Sequence, residues 1–375
     1  MTPSVGLACF STFGGSGVVA AEIAMSLARR GRRVHVFSDD PPGRLAARRD
    51  GVIFHRVEAP AYPQLRHDLY TIALASKVIE VARRDGLDVV HAHYALPHAV
   101  SAQLARRVLA AEPGARAPRV VTTLHGTDTT LVGLDPSFLP LTRFSVLESD
   151  AVTVPSAWLA EATRRNLALP PNVAIDVIPN FVDTTRFAPG GSPAPVVVHV
   201  SNFRALKRTD DVVRIFARVR ADRAARLRLV GDGPEHARAL TLARELGVAA
   251  DVDAMGERDD LPALLADAAA FLLPSENESF GLAALEALAC GVPVVASRVG
   301  GVPEVVRDGE VGFLHDVGDV AAMAASTARL LDDPALRARL GRAARAHAEA
   351  HFRVEPAVDR YEAVYARVRD AAPAT

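Results

Sequence analysis

Short valine-rich runs alternate along this chain with longer stretches in which apolar residues recur at helical spacing. This alternation is typical of parallel β-sheets, because each crossover between parallel strands needs a connection about as long as a helix. We therefore predict an α/β fold with doubly wound sheets. The predicted strands are residues 5–10, 33–37, 89–92, 120–124, 151–154, 175–178, 196–200, 227–230, 269–273 and 293–296.

A break in this rhythm near the middle of the chain predicts two domains. Residues 184–195 are rich in proline, glycine and serine, as a linker is. At 375 residues and 49% apolar content, the chain can build two cores. We predict Rossmann-like domains at 1–183 and 196–355. A last helix, at about 356–375, has one apolar face and is expected to pack back on the first domain.

The charge balance argues against a large class of partners. Lysine and arginine number 43 against 44 aspartate and glutamate, so neither nucleic acid nor an anionic membrane is broadly attracted. The chain has no basic leader and no apolar run long enough to span a membrane, so we expect a cytoplasmic protein. Cys9 and Cys290 lie in apolar runs, which disfavours metal or disulfide roles. The sequence leaves open whether the protein forms a homo-oligomer.

A glycine-rich loop follows the first predicted strand. Residues 11–17 read Ser-Thr-Phe-Gly-Gly-Ser-Gly and lead into an alanine-rich helix, so backbone amides at a helix N-terminus face a ligand there. This favours a phosphate or carboxylate as the ligand of the loop. Residues 15–20 also match a dinucleotide fingerprint with Asp39 at about the right distance, which leaves a nicotinamide-dependent oxidoreductase open. A tight turn without a ligand is the third interpretation.

Two glutamates flank the start of a helix in the second half of the chain. Residues 282–289 are predicted to form that helix, and Glu286 is the only charged residue from 280 to 297. Glu278 precedes it by eight positions, in a loop that ends a strand. Because the helix N-terminus between them favours negative charge, the arrangement suits a diphosphate. The alternatives are a charge complement for the helix at Glu278 and a hidden ion pair at Glu286.

This Glu-x7-Glu arrangement resembles that of the retaining nucleotide-sugar glycosyltransferases of the family 4 type. Residues 177–180, 229–234 and 300–304 are similar to further segments of that family, in the same order. The resemblance implies the GT-B fold, with two facing Rossmann-like domains and a cleft between them. It also implies that Glu278 contacts the donor sugar, that Glu286 contacts the ribose, and that amides contact the phosphates at Ser279, Phe280, Gly281 and Leu282.

Five further stretches, 14–20, 91–98, 125–133, 179–183 and 201–208, are similar to family members that join N-acetylglucosamine to L-malate in the first step of bacillithiol synthesis. They imply UDP-N-acetylglucosamine and L-malate as substrates. Residues 201–202 read Ser-Asn where the family usually has Gly-Arg, so one diphosphate-binding arginine is replaced. The further donor residues implied are Gly15, Asn202, Arg204, Lys207, Arg208 and Arg258. The acceptor residues implied are Ser16, Tyr94, Thr127, Arg143 and Asn202.

The resemblance also implies the chemistry. The acceptor hydroxyl attacks on the face that UDP leaves, so the configuration at the sugar is retained. His125, Lys207 and Glu278 are the expected catalytic residues. The sequence shows no cluster with metal-ligand spacing, so we expect neither a metal nor a cofactor. A transferase with a lipid or polysaccharide acceptor and a non-catalytic sugar-binding protein remain alternatives.

Overall fold

A computed structural model describes residues 3–12, 15–47, 51–59, 69–191 and 194–371. The chain divides into two units. The first comprises Met1–Pro179 together with Val354–Thr375, and the second comprises Asn180–Arg353. Residues 180–187, which include the start of the predicted linker, belong to the second unit, where Arg345 donates to the carbonyl oxygens of Thr184 and Phe187.

Within the described residues, the first unit contains a seven-stranded parallel sheet in the order β3-β2-β1-β4-β5-β6-β7. The chain therefore winds outward from β1 in both directions, and its direction reverses between β1 and β4. The strands are β1 Val5–Ala8, β2 Val34–Ser38, β3 Ile53–Arg56, β4 Val89–His93, β5 Arg119–Thr123, β6 Ala151–Val154 and β7 Ile175–Val177.

Helices connect these strands. They are α1 Ser16–Arg29, α2 Gly43–Ala47, α3 Tyr70–Asp85, α4 Val100–Ala110, α5 Thr127–Thr130, α6 Leu139–Leu147 and α7 Ala157–Asn166. A π-helical turn, Ala95–Ala99, follows β4, and a 3₁₀ turn, Val132–Leu134, follows α5. Most of α1 is buried, which agrees with its run of valine, alanine and isoleucine.

The second unit repeats the arrangement with six described strands in the order β10-β9-β8-β11-β12-β13, and its winding reverses between β8 and β11. The strands are β8 Val196–Val200, β9 Arg226–Val230, β10 Val252–Gly256, β11 Ala270–Leu273, β12 Val294–Ser297 and β13 Gly312–His315. The helices are α8 Thr209–Arg220, α9 His236–Glu245, α10 Leu261–Ala266, α11 Leu282–Ala289, α12 Val302–Val305, α13 Val320–Asp332 and α14 Pro334–His351. Two 3₁₀ turns are Ala205–Lys207 and Ala249–Asp251.

The last helix, α15 Val354–Asp370, packs on the first unit. Tyr361 and Tyr365 on its apolar face are almost completely buried, and the Tyr365 hydroxyl lies 2.8 Å from Nδ1 of His91 on β4. At its edge, Arg30 pairs with Asp359 and Glu362 at 2.6 Å. In the described part of the chain, no helix is both long and apolar enough to cross a membrane.

The predicted α/β fold with doubly wound sheets is confirmed. Each of the ten predicted strands is present, with ends that differ by at most two residues, and α11 has the predicted bounds. The strands that the prediction missed, β3, β10 and β13, all lie at sheet edges.

Candidate functional site

In the first unit, the loop after β1 brings a helix N-terminus to the carboxyl edge of the sheet. Gly15 precedes α1 with φ 59°, a conformation that favours glycine. A Cβ at Gly17 would lie 2.6 Å from the carbonyl oxygen of Thr12, so the loop can pass this close to α1 only with glycine there. Ser16 is buried at the first position of α1. Phe13 and Gly14 of the predicted anion loop lie outside the described residues.

Tyr94 and His125 meet at the ends of the adjacent strands β4 and β5. Their ring centroids lie 5.1 Å apart, and Thr127 begins α5 two residues after His125. Tyr94 has φ 90°, which is unusual for a residue with a side chain, and strained backbone conformations of this kind cluster at functional sites. Since β4 and β1 flank the reversal in the winding, these residues lie where doubly wound sheets bind ligands.

Asp128 connects the segments that follow β4 and β5, and it is not among the site residues predicted from the sequence. Its Oδ1 accepts hydrogen bonds from the backbone N–H groups of His125 (3.2 Å) and Gly126 (3.0 Å), and its Oδ2 accepts one from Ala95 (3.3 Å). Burial raises its pKa to about 6, against the lowering effect of these hydrogen bonds. One carboxylate thus ties the loop after β5 to the turn after β4. The signal for this role in the sequence is an acidic residue two positions after Gly126, the glycine that follows β5.

A group of buried histidines surrounds His125. His91, His93 and His98 are fully buried, whereas His125 is partly exposed. Burial, together with the nearby His98, lowers the pKa of His125 to about 3. At neutral pH, His125 is therefore an uncharged hydrogen-bonding group and not a cation.

In the second unit, the loops after β8 and β11 bring together two of the predicted donor residues. Nζ of Lys207 lies 2.6 Å from Oε1 of Glu278, and Ser275 Oγ donates to the same oxygen at 3.0 Å. The side chains of Lys207 and Glu278 are only 18% and 10% exposed. Because β8 and β11 flank the reversal in this sheet, the ion pair lies at the position equivalent to that between β1 and β4 in the first sheet.

The N-terminus of α11 lies in the same loop. Gly301 N–H donates to the carbonyl oxygen of Glu278 at 2.9 Å, so the turn before α12 supports this loop. Phe280 is buried in the core, which leaves only its backbone for a ligand, whereas Ser279 and Leu282 are partly exposed. Glu286 lies within α11 and is 5% exposed.

The remaining predicted residues have diverse surroundings. Asn202 and Arg204 are exposed. Arg208 and Arg258 pair with Asp211 and Asp260, each at 2.7 Å.

Arg143 lies on α6 and lines a surface pocket of about 440 Å³. The other lining residues are Leu139, Pro140, Asn166, Leu167 and Ala168. Its place at an acceptor, like every ligand contact assigned from the sequence, stays a prediction. In the described ranges, no three residues among histidine, cysteine, aspartate and glutamate are arranged to hold a metal ion.

Comparison with known proteins assigns the family. Residues 13–186 match the family model described as Glycosyltransferase Family 4, and residues 183–347 match that of Glycosyl transferases group 1. The N-acetyl-alpha-D-glucosaminyl L-malate synthase of Bacillus anthracis is 40% identical over 97% of each chain. The D-inositol 3-phosphate glycosyltransferase of Acidothermus cellulolyticus is 33% identical over 89% of this chain and 82% of that protein.

Solved structures with the same fold are more distant in sequence. A sucrose-phosphate synthase from Thermosynechococcus elongatus superposes with a TM-score of 0.82 at 22% identity, over 99% of this chain and all of that one. Anabaena HepE in complex with UDP and glucose gives 0.80 at 20% identity, over 97% and 99%. The chain has the GT-B fold and is a glycosyltransferase that belongs to family 4.

Proposed function

We propose that this glycosyltransferase transfers N-acetylglucosamine from UDP-N-acetylglucosamine to the hydroxyl of L-malate, the first step of bacillithiol synthesis. The observation that carries the proposal is the 40% identity, over 97% of both chains, with an enzyme named for that product. Within each unit, predicted residues lie after strands that flank the reversal in winding, where such sheets bind ligands, and this supports the proposal.

The second unit supplies the donor site in this proposal. Lys207 neutralises the diphosphate together with the amides at the N-terminus of α11, and Glu278 accepts hydrogen bonds from sugar hydroxyls. Glu286 accepts from the ribose hydroxyls. The contact between Lys207 and Glu278 supports this assignment, since it places a cation for the diphosphate beside an acceptor for the sugar.

The first unit supplies the acceptor site. Malate carries two carboxylates, so its site needs fixed donors and a cation. We assign these roles to Ser16, Tyr94, Thr127 and Arg143, and we carry over Asn202 from the family resemblance as a further malate contact. His125 is neutral at physiological pH, so we assign it a hydrogen bond to the transferred sugar.

The proposed transfer needs no nucleophile from the protein. The malate hydroxyl oxygen forms a bond to the anomeric carbon on the face from which UDP leaves, while the bond from that carbon to the phosphate oxygen breaks. UDP departs with the electron pair, and the hydroxyl proton passes to its phosphate oxygen. The product is the α-linked glycoside, with retained configuration. Lys207 and the α11 amides take the role that a divalent metal has in other sugar transferases.

UDP release measured with a panel of acceptors tests the proposal. We expect rapid release from UDP-N-acetylglucosamine with L-malate, slow release with D-malate, lactate or D-inositol 3-phosphate, and no change on adding EDTA. Proton NMR of the product should show the α anomer. Faster turnover with inositol phosphate, the acceptor named for a 33% identical relative, would overturn the malate assignment. Loss of activity in EDTA would overturn the metal-free mechanism.

The nicotinamide-dependent alternative is left without support by the family assignment. It predicts that NADH, and not UDP-N-acetylglucosamine, raises the unfolding temperature of the protein, because a ligand stabilises the state that binds it. We expect the opposite result in the same thermal assay.

A further inference from the structure

His93 and His125 form a hydrogen-bonded pair at the carboxyl ends of β4 and β5. Nδ1 of His93 lies 3.0 Å from Nε2 of His125, and the rings stack with their centroids 5.2 Å apart. His93 is the last residue of β4 and is fully buried, whereas His125 is partly exposed. The pair therefore connects a ring that ligands cannot reach to one that they can.

A single proton serves the hydrogen bond between the two rings. Burial lowers the pKa of His93 well below 6.5, with smaller contributions from neighbouring histidines, and lowers that of His125 to about 3. Both rings are therefore neutral at physiological pH. A neutral imidazole donates from one nitrogen and accepts at the other. The pair thus has two arrangements, which differ in the ring that donates.

The other nitrogen of His93 distinguishes the two arrangements. Nε2 of His93 is buried and has no hydrogen-bond partner among the described residues. If His125 donated, this nitrogen would carry the proton of His93 as an unpaired buried N–H. If His93 donates from Nδ1, Nε2 holds only a lone pair. Unpaired buried N–H groups are rarer in proteins than under-satisfied acceptors, which favours His93 as the donor.

We propose that His93 is a positioning residue that donates from Nδ1 to Nε2 of His125 and thereby fixes the proton of His125 on its own Nδ1. His125 then offers an N–H, and not a lone pair, to a ligand oxygen. The Tyr94 ring packs against the same imidazole at a centroid distance of 5.1 Å and a tilt of 32°, and this contact restrains the imidazole plane. The inference rests on the proposed function in one respect, the sugar hydroxyl as the ligand of His125. The tautomer itself belongs to the ligand-free protein.

The tautomer can be measured directly. Imidazole ¹⁵N chemical shifts of the full-length, ligand-free chain, labelled with ¹⁵N-histidine and held at neutral pH, distinguish protonated from bare ring nitrogens. The signals of His125 are those lost in His125→Asn. We expect a protonated Nδ1 and a bare Nε2. The reverse pattern would overturn the proposal whatever the enzyme's substrates are.

Two substitutions at His93 separate hydrogen bonding from packing. His93→Asn places an amide where Nδ1 lies and can still donate, whereas His93→Gln places it one methylene farther along. We expect His93→Asn to keep both the His125 tautomer and a kcat near that of the parent protein. We expect His93→Gln to lose the tautomer preference and to lower kcat about 10- to 100-fold, with little change in KM for UDP-N-acetylglucosamine.

His91→Asn is the matched control for loss of a buried histidine. His91 bonds to the Tyr365 hydroxyl (2.8 Å) and Thr123 Oγ1 (2.6 Å) and not to His125. We expect it to lower stability while the His125 tautomer persists. A change in tautomer as large as that of His93→Gln would mean that general packing controls His125, which contradicts the proposal. If no tested acceptor releases UDP, the proposed function fails, but the NMR result still decides the role of His93.

Discussion

At the scale of single residues, the contact between Lys207 and Glu278 shows how one ion pair can serve stability and ligand binding. Both side chains are largely buried, so each charge depends on the other for compensation. The Ser275 hydroxyl also donates a hydrogen bond to the Glu278 carboxylate. Binding of a diphosphate would give Lys207 a second anion, with the glutamate still held by the serine.

A double-mutant cycle on this pair tests its contribution to stability. We expect Lys207→Met to lower the free energy of unfolding by about 1–3 kcal/mol, because it leaves a largely buried carboxylate without its cation while the Ser275 hydrogen bond remains. Adding Glu278→Gln should recover part of that loss. Urea unfolding followed by circular dichroism gives the coupling energy. The exposed pair of Arg258 and Asp260 is the control, with an expected coupling of about 0–1 kcal/mol. Additive losses at Lys207 and Glu278 would contradict the argument.

At the scale of elements, burial explains which strands could be predicted. The inner strands β1, β4 and β5 are buried along most of their length, and short apolar runs mark them in the sequence. The missed edge strands β3 and β10 are largely exposed or half-buried, and polar residues such as Arg56 and Asp253 interrupt their apolar runs. They form strands because β2 pairs with β3 and β9 pairs with β10. This pairing depends on the rest of the sheet and not on the sequence of the edge strand alone.

The loop before α1 gives a prediction at the same scale. Gly17→Ala should force the loop away from α1, since the new Cβ would meet the carbonyl oxygens of Thr12 and Phe10 at 2.6 and 2.8 Å. We expect a loss of about 1–3 kcal/mol, measured by urea unfolding. Gly191→Ala is the control, because a Cβ there would meet nothing within 4 Å and the residue does not have a positive φ. We expect it to change stability by no more than about 0.5 kcal/mol. A loss for Gly17→Ala no larger than that for Gly191→Ala would contradict the close approach.

At the scale of the whole molecule, buried neutral histidines are distributed unevenly. Burial lowers the pKa to about 3 or 4 for four histidines of the first unit, His35, His91, His98 and His125. In the second unit, His199 has a pKa lowered to about 4. Well above pH 6.5, these rings are neutral in both the folded and the unfolded protein. Below it, the unfolded chain binds protons that the folded chain excludes, so stability falls until the folded values are reached.

Acid should therefore weaken the first unit more than the second. Each such histidine loses about 2 kcal/mol of stabilisation at pH 5. Asp128 acts in the opposite sense, because its pKa is raised to about 6, but it is one group against four. Trp158, the single tryptophan, lies on α7 and reports on the first unit, whereas circular dichroism reports on both. From pH 7 to pH 5, we expect the urea midpoint of the fluorescence transition, which reports on the first unit, to fall. We expect the midpoint of the second unit's transition, followed by circular dichroism, to fall less. Equal shifts would contradict this distribution.

The sequence by itself determined the fold class, ten of the described strands, and the loops in which the candidate residues lie. These features are local, since apolar runs, glycine turns and helix starts are written in neighbouring residues. Only the tertiary structure decided which side chains meet. Lys207 and Glu278 are 71 positions apart and His93 and His125 are 32 apart, and the bonds of Asp128 join two separate loops. No local pattern encodes such contacts, because they arise when parallel strands place their carboxyl ends side by side.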